Sequence, residues 1–391
     1  MKFHIFTVLL IVIVLQSCGK TNVNKDLESC PIVAIRVVNG ADTLVTCNYK
    51  QVQDTIDFPL SRLVDNIEIV RLENTDSSLV NKTRVAISDN YILIKNKDNI
   101  PYKLFTKKGK YVAPIGRVGQ GPGEYIFVYD EQIDEANDRI YLLPWNAKQI
   151  LAYNLKGEFV ETIPLCFSIP KGLLKVDGAS KTVSLISMPF SKETPIAWTQ
   201  TLDGKLLREF SSQNFLVPPD FSNELESNKT SENLDFFFFT FTQKTDTLYH
   251  YDGITGLLHP KFNVDFKDVM IPIHDYMEHP GFYIVNIWEL SQIDKNHYQT
   301  DKPKYIIIDR NNLKGSYVHF KNDFLGNISI DPALEQSFRY GYYAVNYDPG
   351  DLSDMLDEVL KNNENVSDSV ISLRKSISEN DNNYIIYGKL K

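Results

Sequence analysis

Short apolar runs separated by turn residues dominate the chain from about residue 59 onward. Two stretches repeat one order: an apolar run, a second run, a glycine-containing turn and a short β-rich run. These runs lie at residues 91–94, 102–105 and 111–112 in the first stretch, and at residues 140–143, 150–153 and 159–160 in the second. The two turn glycines, Gly109 and Gly157, are 48 residues apart. Such spacing indicates a repeated β-rich unit.

A fainter third copy occupies residues 183–186, 196–199 and 206–207, and its turn glycine, Gly204, lies 47 residues after Gly157. A period of about 50 residues with three or four strands per unit is typical of a β-propeller, in which each repeat is one blade. Later runs at residues 247–251, 305–309 and 384–387 resemble the second strands of further blades. The sequence therefore predicts an all-β fold, a six-bladed β-propeller over residues 59–391.

Closure of the ring requires one blade shared between the two ends of the chain. We expect the strand at residues 66–72 to pair with C-terminal strands, which removes exposed sheet edges. One short helix is predicted inside the last blade at residues 351–360, where apolar residues recur at helical spacing and Asp351 or Ser353 is available as the N-cap. We expect its apolar side to pack on the propeller.

A glycine-rich segment joins the first two units: Gly116-Arg117-Val118-Gly119-Gln120-Gly121-Pro122-Gly123-Glu124-Tyr125. We expect it to cross one face of the ring, with glycines that permit positive φ and a proline that stiffens the middle. The glycines could serve only this crossing. Alternatively, Arg117, Gln120 and Glu124 project toward the axial mouth and bind a ligand. Phosphate binding is a poor explanation, because the segment leads into a strand and not into a helix N-terminus.

The N-terminal apolar run has the features of a signal peptide. It covers residues 3–15 after Lys2, and it is too short to cross about 30 Å of hydrocarbon. Its ending, Leu15-Gln16-Ser17-Cys18, resembles the lipobox of bacterial lipoproteins. We therefore expect residues 1–17 to be a signal peptide and Cys18 to carry a lipid. By analogy, the residues after Cys18 favour an outer-membrane lipoprotein, facing either the periplasm or the exterior.

Residues 18–58 are predicted to be a tether with a possible β-hairpin around Asn39-Gly40. A disulfide between Cys30 and Cys47 is conceivable in an oxidising compartment. A two-residue loop at Asn39-Gly40 would place Cys47 opposite Ile32, which argues against the bridge. The sequence leaves open whether the two cysteines form a disulfide or stay reduced. We expect Cys166 to be a buried free thiol.

Charge excludes one class of partner. Without residues 1–17 the chain has 40 basic and 50 acidic residues and no basic stripe, which argues against binding to nucleic acid. No second apolar segment approaches membrane-spanning length, so the lipid is the expected membrane anchor.

Catalytic and metal-binding motifs are weak. His274 and His279 do not share a helix face at a spacing of five residues, so we predict no metal there. The four phenylalanines at residues 236–239, with Phe241, could form a sugar platform, but an inner propeller strand buried on both faces explains them better. We find no serine-hydrolase elbow and no zinc-protease motif, and we predict no cofactor.

Several features together resemble one family, the six-bladed β-propeller lipoproteins of Bacteroidetes, which are related to NHL-repeat propellers. These features are the glycine-rich segment, the lipobox, Arg71-Leu72-Glu73 in the closing strand, and the ending Glu379-Asn380-Asp381-Asn382-Asn383 with Leu390-Lys391. The resemblance implies the fold and an envelope location. It implies no agreed activity and supplies no catalytic residues.

Two function classes compete. The first is a non-catalytic envelope propeller that binds a glycan, a peptide or a partner protein. The second is a hydrolase or lyase with a divalent cation on the axis, as in some NHL-related propellers, for which Glu131, Asp134 and Asn327 are the candidate ligands. We favour binding, because propellers host many functions and the fold alone indicates no chemistry.

Overall fold

The computed structural model describes residues 26–391 except residues 41, 98–99, 228–233, 241–243, 268, 293–297, 332–337 and 363–365. Cys18 and the predicted signal peptide therefore lie outside the described residues. Six four-stranded antiparallel blades form a ring, as the sequence predicted.

Four strands precede the first complete blade: β1 (Ala34–Asn39), β2 (Asp42–Asn48), β3 (Thr55–Pro59) and β4 (Glu68–Arg71). Blade 1 contains β5 (Val85–Ile87), β6 (Tyr91–Ile94), β7 (Tyr102–Thr106) and β8 (Tyr111–Ile115). The crossing to blade 2 contains β9 (Arg117–Val118) and β10 (Glu124–Tyr125). Blade 2 contains β11 (Val128–Asp134), β12 (Arg139–Pro144), β13 (Ala147–Tyr153) and β14 (Phe159–Ile169). Blade 3 contains β15 (Gly172–Asp177), β16 (Thr182–Ser187), β17 (Ala197–Thr201) and β18 (Leu206–Phe210).

Blade 4 contains β19 (Glu224–Glu226), β20 (Leu234–Phe239), β21 (Thr247–Asp252) and β22 (Leu257–Asp265). Blade 5 contains β23 (Ile273–Glu278), β24 (Phe282–Trp288), β27 (Lys304–Asp309) and β28 (Gly315–Asn322), with an inserted hairpin of β25 (Leu290–Gln292) and β26 (Tyr298–Thr300) and a short β29 (Ile328–Ser329). Blade 6 contains β30 (Phe338–Arg339), β31 (Tyr342–Tyr347) and β32 (Tyr384–Lys389), and β4 completes it. The described 3-10 helices are Leu27–Ser29, Tyr49–Gln51, Leu60–Arg62, Glu135–Asn137 and Asp323–Leu325.

The apolar runs of the sequence are strands buried on both faces. Ile140, Tyr141, Leu142 and Leu143 on β12 are all buried, and side chains from alternate positions enter different hydrophobic clusters. One such cluster fills each of the six interfaces between adjacent blades. The core is therefore a ring of interfaces, and each blade is stabilised by both of its neighbours.

The ring closes as predicted. β4 pairs antiparallel with β32, so that Ile69 lies opposite Ile386 and the N-terminal strand is the outermost strand of blade 6. The prediction that the later apolar runs are second strands of their blades is wrong. Residues 247–251, 305–309 and 384–387 lie on β21, β27 and β32, which are third strands and not second strands.

The segment assigned to a tether includes three strands packed on the propeller. The β1–β2 hairpin is present, and β2 pairs in parallel with β22, while β3 pairs in parallel with β28. These additions cover the outer edges of blades 4 and 5. Residues 34–59 are therefore part of the folded body.

The hairpin register differs from the expected one. Asn39 pairs with Asp42 and Cys47 faces Ala34, because the turn lies one residue later than Asn39-Gly40. Cys30 and Cys47 are free thiols buried in different clusters, so there is no disulfide between them. Cys166 is also free, but it is half-buried and not fully buried as expected.

Two helices, not one, lie between β31 and β32: α1 (Pro349–Asn362) and α2 (Asp368–Ser376). Leu352 and Leu356 of α1 pack into the cluster between blades 5 and 6, as predicted. Neither predicted N-cap residue has that role, because α1 starts at Pro349 and the Asp348 carboxylate accepts the Asp351 N–H at 2.9 Å. Arg374 of α2 binds Asp357 of α1 through two hydrogen bonds of 2.7 Å.

The glycine-rich crossing runs from β8 to β11, as predicted. Only two of its four glycines have positive φ, namely Gly116 at 60° and Gly123 at 71°. A Cβ at Gly123 would lie 2.6–2.9 Å from the Phe159 ring, which leaves no room for a side chain. The positive φ that the sequence suggested for this segment therefore occurs at Gly116 and Gly123, and not at Gly119 or Gly121.

Deletion of residues 384–391 tests the closure. The deletion removes β32 from the middle of blade 6 and exposes the edges of β31 and β4, so we expect aggregation or loss of the cooperative thermal transition. The matched control is Lys389→Ala, which changes an exposed side chain of the same strand. A monomeric deletion variant with the melting temperature of the full chain would contradict closure by β32.

The glycine assignment predicts unequal effects of two alanine substitutions. Gly123→Ala should lower the free energy of unfolding by at least about 1–2 kcal/mol, because it places a side chain in the left-handed region and against Phe159. Gly121→Ala should be nearly neutral, since the added Cβ meets only the tip of the Glu124 side chain. Denaturant titration measures both, and equal losses would contradict the assignment.

Candidate functional site

The axis of the ring is lined by the first strand of each blade. Because neighbouring strands run in opposite directions, the crossings between blades emerge on the same face as the turns between second and third strands. We call this the connection face. The glycine-rich crossing and both helices lie on it.

A buried ion network occupies the axis. Glu131 on β11 is only 2% exposed, and its carboxylate lies 2.8 Å from the Arg84 guanidinium and 3.4 Å from that of Arg339. Tyr102 donates its hydroxyl proton to the same carboxylate at 3.1 Å. Asp130 lies 3.6 Å from Arg339 and accepts the Leu174 N–H at 2.9 Å. Two carboxylates and two guanidiniums from blades 1, 2 and 6 thus neutralise one another.

Lys95 lies at the edge of this network. Its ammonium donates to the Val128 carbonyl at 3.0 Å and stands 4.6 Å from the centre of the Phe127 ring. Burial, together with the nearby Arg84 charge, lowers the pKa of Lys95 to about 8.

Two further carboxylates face the axis from blades 4 and 5. Glu226 ends β19 and is reached by solvent, and Asp275 on β23 is half-buried. Desolvation raises the pKa of both groups, and the Glu226 charge raises that of Asp275 further. No cation among the described residues lies at ion-pair distance from either group. Asp275 accepts a hydrogen bond of 2.5 Å from Asn286.

Three buried polar atoms in this region have no hydrogen-bond partner within the described part of the chain: Arg84 Nε, Arg339 Nε and Asn286 Oδ1. Buried polar atoms are normally paired, so these atoms have unused capacity for hydrogen bonds. The axis therefore combines an ion network with two carboxylates that form no ion pair among the described residues, although the Arg84 and Arg339 charges partly offset the desolvation that raises the pKa of Glu226.

The network continues to the connection face through Tyr129, Glu224 and Lys171. Tyr129 donates to Glu224 at 2.6 Å, and Lys171 donates to the other oxygen of that carboxylate at 2.5 Å. Lys171 also donates to the Phe221 carbonyl at 2.7 Å. These bonds fix the crossing between blades 3 and 4 to the inner strands.

An aromatic shelf, formed by Phe127, Trp145 and Phe221, lies beside this network on the connection face. The three side chains are 47%, 47% and 56% exposed. Trp145 and Phe221 have ring centroids 6.2 Å apart in an edge-to-face arrangement. The Lys95 ammonium over Phe127 joins the shelf to the axial network.

The predicted ligand residues of the glycine-rich segment lie apart from the axial cluster. Arg117 and Gln120 are exposed, and β9 pairs in parallel with β10. The Glu124 carboxylate folds back on its own loop, where it accepts the Gly121 N–H at 2.9 Å. The crossing is bound to outer strands of blade 2, where Tyr153 of β13 donates to the Gly123 carbonyl at 2.9 Å.

The three candidate cation ligands are not brought together. Glu131 is held by arginines on the axis, Asp134 accepts hydrogen bonds from Asn137 in the turn on the opposite face, and Asn327 lies in the turn before β29 with φ of 64°. No group of three or more His, Cys, Asp or Glu side chains among the described residues could hold a metal ion.

The other weak motifs have structural surroundings. His274 is buried beside the Pro272 carbonyl, and burial lowers the pKa of His279 to about 3. Phe236, Phe237 and Phe238 are buried on β20, the second strand of blade 4, which confirms the core interpretation. Phe241, which was considered with them, lies outside the described residues.

A cleft of about 440 Å³ lies on blade 5, among Thr55, Lys304, Tyr317 and His319. Lys304 in this cleft already forms an ion pair of 2.6 Å with Glu289. The charge of this lysine is therefore neutralised, unlike the carboxylates without an ion pair on the axis. We therefore regard the axis and the aromatic shelf as the candidate site.

The fold is similar to that of several solved proteins. A candidate exported protein of Bacteroides fragilis superposes with a TM-score of 0.58 at 16% identity, covering 89% of this chain and 100% of that one. A DUF4221 family member from Bacteroides vulgatus gives a TM-score of 0.43 at 10% identity, covering 84% and 97%. A periplasmic gluconolactonase of Pseudomonas aeruginosa gives 0.38 at 11% identity, covering 61% and 69%. At these identities the first similarity shows the fold alone, and the other two are too remote to support an argument.

None of the curated proteins matches the sequence. A family profile described as a domain of unknown function, DUF4934, matches residues 44–389, which include all six blades and most of β2 but not β1. The protein therefore belongs to the DUF4934 family.

Proposed function

We propose that the protein is a lipid-anchored binding protein of the cell envelope, without catalytic activity, whose propeller holds its ligand at the axis on the connection face. One observation carries the proposal: Glu226 and Asp275 face the axis without an ion-pair partner among the described residues, and desolvation raises the pKa of each. Keeping the half-buried Asp275 without an ion pair costs stability, and this cost is expected where a ligand uses the carboxylate.

Binding is favoured over catalysis because the other two axial carboxylates, Asp130 and Glu131, are held in ion pairs. Asp130 and Glu131 are neutralised by Arg339 and Arg84, and Tyr102 donates a further hydrogen bond to Glu131. A carboxylate held in this way is a poor nucleophile and a poor metal ligand, because its charge and lone pairs are already engaged. The network instead rigidifies the wall of the site.

The proposed anchor is Cys18, eight residues before Asp26. Leu27 and Cys30 are buried in the cluster between blades 5 and 6, and Asp26 forms an ion pair of 3.2 Å with Arg62. Eight residues span at most about 30 Å, so a lipid on Cys18 would hold this side of the ring close to the membrane. Among the described residues, no helix is long and apolar enough to cross a membrane. The similarity to a candidate exported protein supports an envelope location.

Substitution of the axial carboxylates should separate stability from binding. When the pKa of a carboxyl is higher in the folded state than in the unfolded state, the group loses its proton more easily after unfolding. The free energy of unfolding therefore falls as pH rises from the usual pKa range through the raised value. Asp275→Asn should therefore raise the melting temperature near pH 7 by about 1–3 °C, with the difference vanishing in acid. Glu209→Gln, on an exposed part of β18, is the control and should change little.

The same variant tests binding in a thermal-shift screen of oligosaccharide and peptide libraries. A ligand at 100 times its dissociation constant stabilises the wild type by about 2.7 kcal/mol. The shift should be lost when Glu226→Gln and Asp275→Asn are combined, and it should persist in Glu209→Gln. A ligand that stabilises the double variant as strongly as the wild type would place the site elsewhere.

Cys18→Ala tests the anchor. We expect the variant to leave the membrane fraction, because acylation provides about 0.8 kcal/mol for each buried CH₂. Cys166→Ala is the matched control, since it removes a cysteine of the propeller and should keep the protein in membranes. Retention of the Cys18→Ala protein in membranes after a high-salt wash would contradict the assignment.

A further inference from the structure

The aromatic shelf exposes more ring surface than a folded protein normally leaves without use. Phe127, Trp145 and Phe221 come from three separate connections, yet they form one continuous surface. Phe190 supports Phe221 from behind, with ring centroids 5.4 Å apart. Exposed apolar patches bordered by polar groups are typical of ligand-binding surfaces.

The shelf is rigid. Trp145 begins the two-residue turn between β12 and β13, and its N–H donates to the Phe127 carbonyl at 3.0 Å. The next residue, Asn146, has φ of 53°, and its N–H donates to the Pro170 carbonyl at 2.9 Å. Lys171 holds the backbone of Phe221. The backbone positions from which the rings project are therefore fixed without a ligand, which lowers the entropy lost on binding.

The polar groups beside the shelf carry charges of both signs. Lys95 lies over Phe127, and Glu224 and Lys171 lie next to Phe221. Further down the axis, Glu226 and Asp275 present carboxyl oxygens that form no ion pair among the described residues and can accept hydrogen bonds. This mixture suits hydroxyl groups, which both donate and accept, better than it suits a ligand with charges of one sign.

We propose that the shelf binds a neutral oligosaccharide, with pyranose rings stacked on Trp145 and Phe221 and hydroxyl groups directed to the axial carboxyls. The assignment rests on the proposed binding function and specifies the class of its ligand. The C–H face of a pyranose is flat and apolar, and it matches an aromatic ring of which about half is exposed. An apolar peptide side chain would instead need a pocket that encloses it.

The test uses maltohexaose, cellohexaose, xylohexaose and mannohexaose with the full mature chain. Trp145 is the most accessible of the three tryptophans, since Trp198 is fully buried and Trp288 is half-buried. We expect at least one hexaose to bind saturably by calorimetry and to change the tryptophan emission. Trp145→Ala should weaken binding at least about tenfold, as expected for a central aromatic contact. Trp145→Phe should keep part of the affinity.

Ile254→Ala is the matched control, because Ile254 is 86% exposed and lies in the turn between β21 and β22 on the opposite face. It should bind like the wild type, and melting curves should show that every variant is folded. Absence of binding by all four sugars at millimolar concentration would overturn the proposal, and so would equal affinity of folded Trp145→Ala and wild type.

Two further outcomes separate this proposal from the proposed function. A peptide whose binding requires Glu226 and Asp275 but not Trp145 would overturn the oligosaccharide assignment and leave the axial binding function standing. A hexaose whose binding is lost in Trp145→Ala but unchanged in the Glu226→Gln/Asp275→Asn variant would support the shelf as the sugar site and overturn the contacts between its hydroxyl groups and the axial carboxyls. That second result would contradict the axial part of the proposed function.

Discussion

The pairing of β4 with β32 is the interaction on which the rest of the structure depends. Each blade has two buried faces, and each face contributes to a hydrophobic cluster shared with a neighbour, so a blade cannot lose one neighbour without exposing half of its core. In an open arc the two terminal blades would be in that state. The strand from the N-terminal part of the chain joins the last blade and removes both ends at once. The β1–β2 hairpin and β3 lie on the same path, because the chain passes along blade 4 and then blade 5 before β4 reaches blade 6.

Closure also fixes the geometry of the axis. Three of the six innermost strands, β5, β19 and β30, are described over only two or three residues, so their own ladders contribute little to holding them in place. Ion pairs that link different blades do so instead: Arg84 of blade 1 and Arg339 of blade 6 both reach Glu131 of blade 2. Isolated charges at this depth would be strongly destabilising, whereas a cross-linked set is tolerated because each member is compensated. The positions of Glu226 and Asp275 opposite this set therefore depend on the whole ring.

The sequence predicted the parts of this molecule that repeat. Apolar strands and turn glycines at a spacing of 48 residues located the second to fourth strands of blades 1 to 3, and the need for closure located β4. The strand order within later blades was misassigned because the runs at 247–251, 305–309 and 384–387 look the same whether they are second or third strands.

The site was harder to predict. Arg84, Glu131, Glu226 and Asp275 are single charged residues, and the sequence does not show which face of the sheet they occupy unless the register is known. The alternative that Arg117, Gln120 and Glu124 bind a ligand rested on the frequent use of loops on rigid scaffolds for binding. The parallel pairing of β9 with β10 and the hydrogen bond from Gly121 to Glu124 instead keep that loop compact. The exposure of Trp145 could have been predicted from the sequence, because a large aromatic residue in a two-residue turn between two buried strands has no core to enter.

The arrangement of the ring relates the proposed anchor to the candidate site. The first described residues pack between blades 5 and 6, whereas the aromatic shelf is built from the connections of blades 1 to 4. In a ring of six, blades 2 and 3 lie opposite blades 5 and 6, so a membrane close to the chain's entry point leaves the shelf on the far side. The turn beginning with Trp145 belongs to blade 2, on that far side. A large ligand could therefore approach the shelf without contact with lipid, and only its terminal residues would need to enter the narrower, charged axis. Under this division, the shelf supplies most of the contact area, while the axial carboxyls select among ligands through hydrogen bonds that an ill-matched partner leaves unsatisfied.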